Sequence, residues 1–283
     1  MKAQNRGFSL IELIITLIIT AIICQLSFVA YNRFSKRSKA FAARLAIKNI
    51  KSECISNKNL GLDNNFTLSI NESNHFIKSL RGNIGDIIWL LDGKGIAYKS
   101  KVLNLNFSIV TGKILSIHKN FGENNYSINL VISLIKGNRM NLIFEKATEY
   151  GVRAIFPIIM DRTIRKKINL KRTKKIVASA AKQSGRSFFP IINELQNFPD
   201  WLNNHRTDLN IVCHMSSKDS IKKIITKKEK SVNIVIGPEG DFSENELSLI
   251  EKNNIQKVNL SNRRLRAETA AMTAIANINQ VFE

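Results

Sequence analysis

Apolar positions change their spacing three times along this chain. From Phe8 to Ala30 they run for 23 residues, interrupted only by Ser9, Glu12, Thr16, Thr20, Cys24, Gln25 and Ser27. A helix of that length spans a bilayer. From about Phe66 to Ile135 short alternating or apolar runs recur: FTLSI, DIIWLLD, GIAYKSKVL, NFSIVTGKILSI and YSINLVISLI. Turn signals such as Gly82-Asn83, Asp92-Gly93-Lys94-Gly95 and Phe121 to Asn125 separate them. That spacing predicts a small barrel of five or six strands, with His75 to Arg81 as a short basic helix against it. From Lys136 onwards helical and buried-strand patterns alternate. Helices are expected over Arg139–Tyr150, Leu170–Gln183 and the Ala-rich Ala267–Val281, and strands over Ala154–Ile159, Leu209–Met215, Val232–Ile236 and Val258–Leu260. This is the pattern of an α/β unit with a largely parallel sheet. The expected organisation is α+β and multidomain: an N-terminal, transmembrane helical segment (1–63), a small β-barrel (64–135) and an α/β domain (136–283). The Asn-, Ser- and Gly-rich residues between Cys54 and Asn65 form the first junction.

Two strand-to-helix loops stand out. IGPEGDFS (Ile236 to Ser243) follows the strand VNIVI, and LSNRRLRAETA (Leu260 to Ala270) follows VNL. Ser243 with Glu246 three residues on forms a capping box, so Gly237 to Phe242 is the loop before a helix. Ser261 to Arg266 is a second such loop. Loops at the carboxyl ends of buried strands are where an open α/β sheet binds small ligands. Gly237 and Gly240 let backbone N–H groups approach one closely. Either loop alone fits an ordinary structural domain equally well; the pair favours a ligand site.

Charge narrows the partners. The net charge is +21, a field that favours polyanions, nucleic acid first and acidic membrane second. Between Gly151 and Arg186 eleven Lys/Arg face the single acid Asp161. A solvated helix face normally mixes signs, so Arg162, Arg165, Lys166, Lys167, Arg172 and Lys175 read as a phosphate-binding surface. Lys78 and Arg81 extend that reading to the barrel. The three cysteines are scattered and the four histidines isolated, so no metal site is expected.

The start of the chain, RGFSLIELIITLIITAII (Arg6 to Ile23), closely resembles the type IV prepilin leader. The resemblance implies a cut after Gly7, Phe8 as the new N-terminus, and Glu12 as the acid that neutralises a neighbour's N-terminal amine during pilus assembly. Prepilins send their C-terminal part out of the cytoplasm. Here the trailing flank carries Arg33, Lys36, Arg37, Lys39 and Arg44 against Lys2 and Arg6 ahead of the span. That bias argues for a cytoplasmic C-terminal part on an inner-membrane tether over residues 8–30.

A third motif, KQSGR (Lys182 to Arg186), closes the basic helix, with Gly185 as its cap and Arg186 leaving the helix just beyond. In order, EKATEYGV (Glu145 to Val152), KQSGR, IGPEGDFS and LRAETA (Leu265 to Ala270) resemble the RsmE family of 16S rRNA uridine N3-methyltransferases. LRGNIGDIIWLLDGKG (Leu80 to Gly95) and IKGNRMNLIFEKATEYGV also look like family segments, and the resemblance covers about Asn65 to Glu283. It implies a PUA-like barrel, an α/β SPOUT domain with a C-terminal trefoil knot, and a homodimer acting on small-subunit 16S rRNA. It also implies S-adenosylmethionine held without metal by Met215, Gly237, Pro238, Glu239, Gly240, Leu260, Ser261 and Leu265. Arg186 is expected to stabilise charge on the uracil oxygens, and Arg266 to support it or orient the base. Asp241 and Ser261 stand where the family pattern has Gly, and Arg264 where it has Ile. If Ser261 needs a positive φ, cofactor affinity falls. Two other classes compete: a pilin-like membrane protein with an inactive C-terminal domain, which would not bind S-adenosylmethionine, and a knotted ribose 2′-O-methyltransferase, which would label a different atom.

Overall fold

The computed structural model describes residues 64–106, 109–205, 207–226 and 228–283, and the single residue Gln25. The expected leader residues Gly7, Phe8 and Glu12 and, Gln25 apart, the span over 8–30 lie outside the described residues. Among the described residues no helix is long and apolar enough to cross a membrane.

The first unit is an antiparallel sheet of β1 (Asn65–Thr67), β2 (Ile87–Leu91), β3 (Ile96–Asn106) and β4 (Ile109–Lys119), in the order β1-β4-β3-β2. Alternation decides its faces: Ile88 and Leu90 on β2, Tyr98 and Val102 on β3, and Val110 and Ile114 on β4 turn inward onto Phe66, Leu68 and Phe76. Burying such side chains stabilises by roughly 1.5–3 kcal/mol each. Helix α1 (Ile70–Asn74) starts at Ser69, whose hydroxyl accepts from the Glu72 amide. The basic helix expected over His75 to Arg81 is instead a π-helical turn, His75–Ser79, with Arg81 at φ 51°. The wide turn delivers Phe76, fully buried, to the core.

The second unit is a seven-stranded, wholly parallel sheet. Its strands are β5 (Ser127–Ser133), β6 (Ala154–Ile159), β7 (Ile191–Ile192), β8 (Gln196–Asn197), β9 (Leu209–Cys213), β10 (Ser231–Ile236) and β11 (Gln256–Val258). The main path runs β11-β9-β10-β5-β6-β7, with β8 also on β6. Helices α2 (Arg139–Glu149), α3 (Leu170–Ser184), α4 (Phe198–Asn204), α5 (Ile221–Ile224), α6 (Glu244–Lys252) and α7 (Ala267–Phe282) cover both faces. Ile128, Leu130 and Ile132 of β5 and Val232, Ile234 and Ile236 of β10 pack on one side, while Val131 and Val235 pack on the other with Phe156, Trp201 and Ile250.

β5 corrects one expectation. YSINLVISLI reads as a barrel strand from its length and turn flanks, but it pairs with β6 and β10 in the parallel sheet. Both its faces are buried, as parallel strands require. The barrel-like unit thus has four strands among the described residues rather than five or six, and its last ends at Lys119.

Candidate functional site

The carboxyl ends of β9, β10 and β11 open onto a cavity of about 380 Å³. Three loops line it: His214 and Met215 after β9, Gly237 to Glu239 with Asp241 and Phe242 after β10, and Asn259 to Ser261 with Arg263 to Arg266 after β11. Seven of the eight expected cofactor residues are therefore brought together: Met215, Gly237, Pro238, Glu239, Leu260, Ser261 and Leu265. The eighth, Gly240, lies behind the loop, where a Cβ would come within 3.2 Å of Arg162. The Arg162 guanidinium donates to the Gly240 carbonyl at 2.7 Å.

Local chemistry fixes the loop after β10. A Cβ on Gly237 would meet the Phe242 ring at 2.8 Å, so glycine lets that ring fold back beneath the loop. The Asp241 amide donates to the Pro238 carbonyl at 3.0 Å, with Asp241 at φ 67°. Ser243 and Glu246 complete the expected capping box at 3.2 and 2.8 Å. Ser261 does not fall among the residues with positive φ. Its amide donates to the Asn259 carbonyl oxygen of the side chain at 3.0 Å, and its hydroxyl accepts from the Arg263 amide at 3.1 Å. The strain expected at Ser261 sits at Asp241 instead.

Arg139, at the start of α2, is a cavity residue that the sequence did not single out. Its guanidinium bonds Glu239 at 2.5 Å and lies 3.8 Å from Glu268 at the start of α7. The buried Oε2 of Glu268 has no hydrogen-bond partner. Arg264 donates to the Glu239 carbonyl at 3.2 Å, so the Ile-to-Arg departure braces the glycine loop. The Cys213 thiol also lines the cavity, and burial pushes its pKa far above the ordinary thiol range, so it is protonated and a poor nucleophile. His214 bonds Ser216 at 2.7 Å and stands 3.8 Å from Asp241. No cluster of three or more His, Cys, Asp or Glu suited to a metal occurs among the described residues.

Comparison with known proteins decides the family. A family model described as an RNA methyltransferase domain matches residues 122–279, more than half of the chain. The ribosomal RNA small subunit methyltransferase E of Buchnera aphidicola subsp. Acyrthosiphon pisum is 31% identical over 228 residues, 77% of this chain and 89% of the relative. The chain belongs to the ribosomal RNA small subunit methyltransferase E (RsmE) family. The Rickettsia conorii enzyme of the same name is 28% identical over 78% of this chain and 92% of its own length. An RNA methyltransferase PUA domain matches residues 71–115, and a prokaryotic N-terminal methylation motif matches residues 2–24. Among solved structures, the RsmE of Neisseria gonorrhoeae bound to S-adenosyl methionine superposes with a TM-score of 0.73 at 28% identity, covering 84% of this chain and 97% of that one. The PUA-like and SPOUT-type units read from the sequence are those of this family.

Within this RsmE chain the two expected catalytic arginines part company. Arg266 lines the cavity as the residue preceding α7. Arg186 does not line it and is 2% exposed. Its guanidinium donates to the Thr148 and Val152 carbonyls at 2.8 and 3.0 Å and pairs with Glu123 at 2.7 Å. The other Glu123 oxygen accepts from the Phe188 amide at 2.8 Å. Around this pair the two units interlock: the Gly95 amide donates to the Ser187 carbonyl, Ser187 to Phe121, and Phe189 to Gly93, each at 3.0 Å. Lys182, the first residue of the KQSGR motif, pairs across the same joint with Glu72 at 2.5 Å. The motif read as catalytic thus forms the junction between the units. Of the residues expected to meet RNA, Lys78, Arg81, Arg162, Lys166, Lys167, Arg172 and Lys175 are exposed, and Arg165 is half-buried against the Lys167 carbonyl at 2.9 Å.

Proposed function

We propose that this chain methylates N3 of a uridine in the 16S rRNA of the small subunit, as a cytoplasmic homodimer that uses S-adenosylmethionine. The single observation that carries the reading is the convergence of three loops, distant in sequence, on one cavity at the carboxyl edge of a parallel sheet. The residues fit the cofactor. The apolar Ile236, Phe242, Leu260 and Ala270 offer a floor for a flat heterocycle, and Glu239 and Asp241 supply negative charge for a cationic sulfonium or ammonium. When bound, S-adenosylmethionine supplies an electrophilic methyl group. The chain's own residues do the rest. Glu239 and the backbone around Leu260 and Leu265 orient the donor, which converts a bimolecular encounter into an aligned one. Arg266, on the cavity wall, would offset the negative charge on the uracil oxygens as N3 passes its proton to solvent and takes the methyl group, leaving a neutral thioether. Arg186 acts from a distance, by fixing the PUA-like unit on the catalytic unit.

The loops after β9, β10 and β11 are read as the trefoil knot of the family. The His214 amide reaching the Val258 carbonyl at 2.9 Å and the Asn259 amide reaching Asp219 at 2.8 Å are consistent with such threading. Residues 1–63 are read as a pilin-like N-terminal helical segment whose leader is cut after Gly7, with residues 8–30 as an inner-membrane tether. Two experiments test these readings. Methyl transfer to purified small ribosomal subunits, followed by mapping of the modified atom, should place the label on uridine N3; label on a ribose 2′-oxygen would overturn the assignment. Cell fractionation should recover the native protein with the inner membrane, and a wholly soluble species would remove the tether.

A further inference from the structure

Arg162 belongs in sequence to a run of cations suited to phosphates, but the structure commits it elsewhere. It follows β6 and reaches the loop after β10 from behind, where its guanidinium donates to the Gly240 carbonyl at 2.7 Å. It is not among the residues that line the cavity. Both of its neighbours are tied down. The Asp161 amide donates to the Glu246 carboxylate at 2.8 Å, and the Asp161 carboxylate accepts from the Ser243 hydroxyl at 2.5 Å. On the other flank the buried Thr163 shares a hydrogen bond with the Ser133 hydroxyl at 2.7 Å and accepts from the Met160 amide at 2.8 Å. The Arg162 side chain therefore leaves from a rigid base.

Its partner is a strained peptide. Asp241 holds φ 67°, a left-handed backbone that a residue with a Cβ keeps only where its surroundings impose it. The peptide joining Gly240 to Asp241 is held at both ends: its N–H donates to the Pro238 carbonyl at 3.0 Å, and its C=O accepts from Arg162. Gly240 is not among the glycines with positive φ, so its bare Cα serves close approach instead. An added Cβ would lie 3.2 Å from the Arg162 Cβ and 3.3 Å from its Cδ. Arg139 and Arg264 also hold this loop, at Glu239, but both stand in the cavity wall. We propose that Arg162 is a positioning residue for S-adenosylmethionine, which fixes the Gly240–Asp241 peptide and so the shape of the loop at residues 237–241 without touching the cofactor. Once that bond is lost, the peptide can turn over to relieve Asp241, and the cavity loses one of its walls. The inference deepens the rRNA-methylation reading and rests on it for the identity of the ligand.

The test compares Arg162→Ala with Lys166→Ala, the loss of another exposed cation four residues on. Arg162 is itself exposed, so the variant is expected to fold, which its melting curve checks. In the cofactor-free, full-length protein, hydrogen exchange at residues 237–242 is read by mass spectrometry. It should quicken roughly tenfold in Arg162→Ala, the worth of one hydrogen bond from a charged donor. Calorimetry should show S-adenosylmethionine affinity lowered by a similar factor. The KM for the cofactor should rise with it, while kcat at saturating cofactor and the KM for small ribosomal subunits stay near wild type. Arg162→Lys keeps a donor on the same anchored backbone and should recover most of the affinity. Lys166→Ala should leave exchange and cofactor affinity unchanged. Wild-type exchange and cofactor affinity in folded Arg162→Ala overturn the proposal and leave the methyltransferase reading intact. So does a raised KM for small subunits with cofactor affinity preserved, which returns Arg162 to the RNA surface. Equal effects from Lys166→Ala overturn it as well, by assigning the loss to net charge. Faster exchange in Arg162→Ala, in a protein whose wild type binds no S-adenosylmethionine, supports the hold on the loop and removes the reading that named its ligand.

Discussion

At the scale of single residues, cavity chemistry is decided by which backbone each side chain sits on. Ser261 stands where its family has Gly, yet adopts a negative φ and caps a turn through its hydroxyl. Ser261→Gly is therefore expected to destabilise the protein by about 1 kcal/mol, through the lost hydrogen bond and the added freedom of the unfolded chain; an increase in the thermal midpoint would contradict this. Arg139 and Glu239 are both about one-third exposed, so their pairing contributes under about 1 kcal/mol to stability. Its worth lies in holding the glycine loop. Arg139→Ala should leave the denaturant midpoint nearly unchanged and weaken S-adenosylmethionine binding several-fold by calorimetry. Local pattern could not have revealed Arg139, because it opens a helix 100 residues from its partner and carries no motif of its own. Cys213, by contrast, announces nothing in sequence, and only its partly buried setting in the fold keeps its thiol protonated. Mapped alkylation at pH 8 should be markedly slower at Cys213 in the folded protein than after unfolding.

At the scale of elements, the joint between the two units depends on a charge that the sequence places well and that the structure turns inward, away from the cavity. Arg186 follows the helix cap Gly185, which is left-handed as its position predicts. Beyond that cap it turns inward to Glu123, and the side chains of the pair are 3% and 7% exposed. Removing one partner of a buried pair leaves the other uncompensated, at about 3–5 kcal/mol. Glu123→Gln should thus lower stability by roughly 3 kcal/mol in denaturant titration. Because the pair is a structural joint, the folded fraction of an Arg186→Lys variant should keep its S-adenosylmethionine affinity while its KM for small subunits rises. Equal loss in both would instead indicate a role at the cavity. The secondary elements themselves were largely legible. β6 is found at its expected bounds, and α2, α3, α7, β9 and β10 within two residues of them. β7, β8 and α4 were missed, since two-residue strands and a helix entered through Pro199 leave little periodicity. β5 was found but given to the wrong sheet.

At the scale of the whole molecule, a cofactor that binds only the folded state should stabilise all of it. At a hundredfold excess over its dissociation constant, S-adenosylmethionine is expected to add about 2.7 kcal/mol, a rise of roughly 5–10 °C in the thermal midpoint for a chain of this size. No shift would mean that the cavity does not hold it. What the sequence determined alone was everything governed by local periodicity and short-range chemistry. The alternation that turns Ile88 and Leu90 inward, the Ser243–Glu246 capping box, the Gly185 cap and the excess of positive charge all follow from neighbours a few positions apart. The tertiary structure decided what depends on long-range pairing. It placed β5 between β6 and β10, joined Arg139 to Glu239, and closed Arg186 onto Glu123. Those contacts join residues 25 to 104 positions apart, and an apolar run or a lone arginine reads the same in sequence whichever sheet or carboxylate it finally meets.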